Sequence, residues 1–201
     1  MPYQSPSDRA LYLLRDAGIV RPRDFERRGV SRTQIRRLYE QGAIERVGRG
    51  LYTLPGTVLT QWHSLAEASQ RVRGGVICLL SALRFHGLTT QNPYEVWMAI
   101  DRKAWRPKPG SPQLRLVYLS GPSLREGVEA HDVGGVTVKV FSAAKTVADC
   151  FKYRNKIGID VAVEALRDFS RSHRGGATEL ARCARICRVS RVMQPYLDAI
   201  A

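Results

Sequence analysis

Apolar residues recur along this chain first at helical and later at strand spacing. Ala10, Leu11, Leu13, Leu14 and Ala17 line one face of a first helix, with Ser7 placed to cap it and Gly18 to end it. A second helix is expected from Arg21-Pro22, where a proline in the first turn gives up no needed N–H, to a stop at Gly29. Ser31 then caps a third helix, Arg32 to Gln41, closed by Gly42. On it Ile35 and Leu38 share one face, and Arg32, Thr33, Arg36, Arg37 and Glu40 take the opposite one. Ile44–Val47 and Leu51–Leu54 alternate as a hairpin about Gly48-Arg49-Gly50. Three helices followed by a hairpin predict a winged helix-turn-helix.

The pattern changes beyond Thr53-Leu-Pro-Gly-Thr57, a stretch of turn chemistry that marks a domain boundary. Helical periodicity covers about Gln61–Val72 and Val76–His86, the latter ended by Gly87. Strands are expected at Glu95–Ile100, Leu114–Leu119 and Val128–Val133, the last turning at Gly134-Gly135 into Val136–Phe141. Ser142 caps a helix from Ala143 to about Arg154, and two or three more helices fill Ile157–Ile200. Arg106-Pro-Lys-Pro-Gly-Ser-Pro112 reads as a loop. The fold class is therefore α+β. A winged helix-turn-helix domain over 1–57 is followed by a mixed α+β domain over 58–201.

Charge gives this outline a direction. The chain of 201 residues carries a net charge of +14, which favours nucleic acid or an anionic surface as partner. Residues 1–57 hold eleven arginines, no lysine and six acids. Arginine presents a planar fork that matches phosphates and guanine edges. No run approaches the roughly 18 apolar residues of a membrane span, and the first residues lack the basic start and apolar run of a secretory signal. A cytoplasmic protein without membrane attachment is expected.

The third helix carries the strongest candidate chemistry. A major groove admits one helix, whose N-terminal side chains reach base edges. Arg32, Thr33, Arg36 and Arg37 are suited to that task, with Arg46 and Arg49 as contacts from the hairpin to phosphate or minor groove. Glu40 is expected to pair with Arg36 or Arg37. Towards the C-terminus, Arg167, Arg171, Arg174, Arg182, Arg185, Arg188 and Arg191 face only Asp168 and Glu179. They form either a solvated surface or a second basic surface for nucleic acid or a partner.

Catalytic sets are hard to find. His63, His86, His131 and His173 are scattered, and no phosphate-cradling Gly-Lys-Ser/Thr loop occurs. Asp101-Arg102-Lys103 has the acid-x-Lys form of a restriction-type nuclease core, but no strand before it supplies the second acid, and a simple turn is the better reading. An enzyme acting on nucleic acid, docked through the winged helix, is the alternative function. Cys183 and Cys187 are spaced as half a metal site, with no near neighbours to complete it. They, with Cys78 and Cys150, are expected to be reduced, packed thiols. No metal or cofactor is expected.

The chain resembles the AbiEi family, antitoxins and transcriptional regulators of type IV (abortive infection) toxin–antitoxin systems. The likeness runs through the head, from Leu11-Tyr-Leu-Leu-Arg to Gly48-Arg-Gly-Leu-Tyr52. Three later blocks add to it: Leu80-Ser-Ala-Leu-Arg-Phe-His-Gly-Leu-Thr89, Phe141-Ser-Ala-Ala-Lys-Thr-Val-Ala-Asp149 and Tyr153 to Arg167. The resemblance implies a non-enzymatic repressor of its own operon, bound to double-stranded DNA at promoter inverted repeats. It also implies a protein that opposes a nucleotidyltransferase-like toxin. In the middle block Lys145 and Asp149 fall on the same helix face, and Tyr153, Ile157, Ile159, Val161 and Leu166 read as packing. Those blocks read largely as core, not as a site.

Overall fold

The computed structural model describes residues 5–48, 50–56 and 62–200. The chain divides into two units: Met1–Gln70 with Asp132–Thr137, and Arg71–His131 with Val138–Ala201. The boundary expected at Thr57 lies outside the described residues.

In the first unit, α1 (Pro6–Ala17), α2 (Pro22–Arg27) and α3 (Arg32–Glu40) precede a hairpin of β1 (Glu45–Gly48) and β2 (Leu51–Thr53). The cap of α1 is Ser5 and not Ser7. Ser5 is extended, its hydroxyl accepts the Asp8 N–H at 3.1 Å, and Pro6 occupies the first helical turn. Ser-Pro was thus the stronger start signal than Ser7-Asp8.

The hairpin is antiparallel, with Glu45 opposite Thr53 and Arg46 opposite Tyr52. Val20 adds a single antiparallel bridge to Tyr52 through two hydrogen bonds of 2.9 and 3.0 Å. Ala10, Leu14, Val20, Phe25, Val30, Ile35, Leu38 and Ile44 form the core under these elements. Helix α4 (His63–Arg71) starts beside the hairpin: His63 Nε2 lies 3.0 Å from the Val47 carbonyl. A Cβ on Gly48 would stand 2.9 Å from Glu67 Oε1, so a bare glycine lets β1 lie this close to α4.

The second unit opens with β3 (Val76–Ile77) and α5 (Leu79–Phe85), then β4 (Val96–Asp101), β5 (Leu114–Leu119) and α6 (Pro122–Arg125). There follow β6 (Val128–Val133) and β7 (Val136–Phe141), whose ends at the turn, Asp132–Thr137, group with the first unit, and then α7 (Ala143–Lys152) and α8 (Arg154–Ile157). It ends with α9 (Ile159–Ser172), α10 (Ala177–Cys187) and α11 (Ser190–Asp198). The five-stranded sheet runs β5-β4-β3-β7-β6, with β3 antiparallel to β4 and parallel to β7, and β4 parallel to β5. The mixed α+β class is as expected.

Val76 and Ile77 correct the reading of a helix from 76 to 86, since they form the central strand of the sheet. A buried two-residue strand shows no period, and an all-apolar run reads equally as helix. The chain turns into α5 at Leu79, whose φ of +45 is unusual for a leucine.

Helix α7 is buried from Ala143 to Phe151, against α5, α9 and α10. Its start is fixed by the Ser142 hydroxyl, which accepts the Lys145 N–H at 3.3 Å. Gly127, at φ +67, passes so near that any Cβ there would meet Lys145 Cβ at 2.8 Å. Among the described residues no helix is long and apolar enough to cross a membrane.

Candidate nucleic-acid interface

Helix α3 is held at its N-terminus by a reciprocal capping box. The Ser31 hydroxyl accepts the Gln34 N–H at 3.3 Å, and Gln34 Oε1 accepts the Ser31 N–H at 2.9 Å. Ile35 and Leu38 are buried, which fixes the rotation of the helix about its axis. Arg32, Thr33, Arg36 and Arg37 consequently project into water from its outer side.

Two of these arginines already have acidic partners. Arg36 Nε donates to Glu40 Oε1 at 2.8 Å, one of the two pairings expected for Glu40. That hydrogen bond holds the Arg36 guanidinium above its ordinary pKa. Arg32 Nε donates to Glu26 Oε1 at 2.7 Å, a bond between α2 and α3 that spacing along one helix does not reveal. Exposed pairs of this kind are worth little and exchange readily for a phosphate or base edge. Arg37 makes no ion pair among the described residues. Arg46 Nε donates to the Gly48 carbonyl at 3.1 Å, which holds it along β1. Arg49 lies outside the described residues.

The C-terminal arginines separate into two kinds. Arg167, Arg171, Arg174, Arg185, Arg188 and Arg191 are exposed. Arg171 stands 3.8 Å from Asp168. Arg182 is instead committed: it donates to both Glu179 oxygens at 2.8 and 2.9 Å and to Glu126 at 2.7 Å. Those bonds raise its pKa, and it ties α10 to the end of α6.

A third group of charges is sealed inside the second unit. Lys145 and Asp149 are 0% and 1% exposed, and Lys145 Nζ donates to Asp149 Oδ2 at 2.5 Å. The Cys187 thiol donates to the other carboxylate oxygen at 3.1 Å, and the ammonium sits 4.1 Å from the centre of the Phe141 ring. Burial, reinforced by the Asp149 charge, pushes the Cys187 thiol and the Tyr153 phenol up to about 12. Burial lifts Cys78 and Cys150 as well, and Cys183 to about 11. All four cysteines are buried, free thiols, protonated at neutral pH and so poor nucleophiles. Among the described residues no three His, Cys, Asp or Glu side chains gather to hold a metal ion. Asp101 Oδ1 accepts the Lys103 N–H at 2.8 Å, so the Asp101-Arg102-Lys103 segment is a turn leaving β4.

Residues 8–55 match the family model described as transcriptional regulator, AbiEi antitoxin. The head is thus similar to the matching segment of AbiEi regulators, over about a quarter of the chain. The match spans α1 to β2 and includes α3 with its outward arginines. The AbiEi family is one of transcriptional regulators and antitoxins of toxin–antitoxin systems. The three later blocks between Leu80 and Arg167 lie beyond the matched segment, and they supply most of α5, α7 up to Asp149 and most of α9. No curated protein matches the chain.

Proposed function

We propose that this protein is a sequence-specific DNA-binding repressor that autoregulates a toxin–antitoxin operon and serves as its antitoxin. Its head, over 1–57, is a winged helix-turn-helix, and 58–201 is the antitoxin domain. The observation that carries the reading is the outward arginine face of α3, set by a buried Ile35/Leu38 anchor and followed at once by a two-stranded hairpin. Arg32, Thr33, Arg36 and Arg37 read base edges in the major groove. Arg46 and Arg49 contact the backbone or minor groove from the wing. Palindromic promoter repeats are the expected duplex, and a nucleotidyltransferase-like toxin the functional partner, in the cytoplasm. The family match to the head supports the regulatory half of this reading, and the resemblance of the later blocks supports the antitoxin half.

A gel shift on the DNA upstream of the gene tests it. Arg36→Ala/Arg37→Ala should weaken promoter binding roughly five- to 150-fold and relax base preference. Arg49→Ala should weaken binding evenly across sequences and flatten the salt slope by about 1. Unchanged promoter affinity in the Arg36/Arg37 double variant refutes the assignment.

A further inference from the structure

In the second unit the proline-rich loop between β4 and β5 folds over the side of β5 that carries Leu114 and Leu116. It lines an open cleft of about 610 Å³. Three cations line this cleft, Arg71, Arg106 and Lys108, against one acid, Glu95. Glu95 lies 3.8 Å from Arg115, so it has a cation of its own. Arg71 is the unusual member. Its Nε and Nη1 are buried and hydrogen-bond to no described group, while Gly110 lies over them so closely that a Cβ there would stand 3.2 Å from Nη1. These two N–H groups, on different edges of the guanidinium, lack an acceptor beneath Gly110, and Arg71 adds a positive charge to the cleft wall that suits an anionic group such as a phosphate.

The surroundings extend this beyond a lone anion. Between Asp101 and Glu126 the chain holds no acid, while Arg102, Lys103, Arg106, Lys108, Arg115 and Arg125 are all basic. Trp105, next to Arg106, is 96% exposed, and Tyr94, next to Glu95, is 84% exposed. Large aromatic faces left in water beside a cationic groove are what unpaired bases stack on. A duplex keeps its bases inside its own stack and offers none to such a surface.

We propose that this cleft binds single-stranded nucleic acid, with a phosphate on Arg71, Arg106 and Lys108 and a neighbouring base stacked on Trp105. The site lies in the second unit and does not depend on the operator-binding role of α3.

The test uses the full-length chain carrying Arg36→Ala/Arg37→Ala, which removes the main duplex contacts of the head. Fluorescence anisotropy of a labelled oligouridylate of about twelve nucleotides reads binding. Trp105→Ala should weaken it about fivefold or more. Arg106→Ala/Lys108→Ala should lower the slope of log affinity against log salt by about 1.4, the loss of two single-strand phosphate contacts. Trp105→Ala in the otherwise native chain should leave the promoter gel shift unchanged, which separates failure at this cleft from failure of the operator reading. The proposal is overturned if both variants bind the oligouridylate as their parent does. It is equally overturned if polyglutamate, a mononucleotide or a duplex of the same length displaces the strand at equal concentration.

Discussion

In α3 four polar side chains stand in water around an anchor of two buried aliphatics, whereas in α7 a lysine and an aspartate are enclosed with a thiol and an aromatic ring. Both helices start at a serine cap and both carry a cation four residues from an acid, Arg36–Glu40 in one and Lys145–Asp149 in the other. The same local chemistry therefore does opposite work. At the surface the pair is weak and its arginine can leave for DNA. In the core, neither charge can leave, because each would be stranded without water or partner. The difference lies in burial alone, and it separates residues that serve recognition from residues that serve the fold.

The sharpest way to break this comparison is at Asp149. Asp149→Ala leaves the Lys145 ammonium buried without its carboxylate and should destabilise the second unit by about 3–5 kcal/mol, read by chemical denaturation. Replacing both charges, Lys145→Met with Asp149→Leu, should recover most of that loss. A double variant as unstable as the single one would show that the pair is not simply mutual compensation. The matching change at the surface, Arg36→Ala/Arg37→Ala, should leave the melting temperature unchanged while promoter affinity falls. A drop in both would place these arginines with the fold. A smaller effect is expected at the cap of α3: Ser31→Ala removes one half of the capping box and should cost about 1 kcal/mol of stability in the first unit.

Much of this contrast was legible in the sequence, and the missing part has a physical reason. The alternation in Val136-Thr-Val-Lys-Val-Phe141 and the Gly134-Gly135 turn fix β6 and β7 to the residue, and Ser142 marks the start of α7. The helical period also places Ile35 and Leu38 inwards and the α3 arginines outwards. Periodicity is silent where an element is too short to show one, as at Val76–Ile77 and in the single turn of α6. It is equally silent on partners that meet only after folding. Glu26 reaches Arg32 from another helix, Cys187 reaches Asp149 across 38 residues, and Arg71 meets Gly110 from the end of α4. Lys145 and Asp149 were visible as a same-face pair, but their complete burial follows from the packing of α5, α9 and α10 around α7.

The smallest effect concerns a titrating group between these extremes. His86, at the end of α5, is half-buried, and its Nε2 lies 2.7 Å from the Phe141 carbonyl, to which the neutral ring donates. Burial lowers its pKa below the ordinary value of 6.5, and the bond to Phe141 only partly opposes this. The unfolded chain therefore takes up the proton first as pH falls, binding more protons than the folded one, and stability must rise with pH across that window. The melting temperature should accordingly decline gently from about pH 7 to about pH 5.5, above the range where carboxylates titrate. His86→Gln keeps an N–H donor without a titrating ring and should flatten the decline relative to the native chain. Parallel pH profiles for the two proteins would show that the slope does not come from His86, and would overturn this linkage.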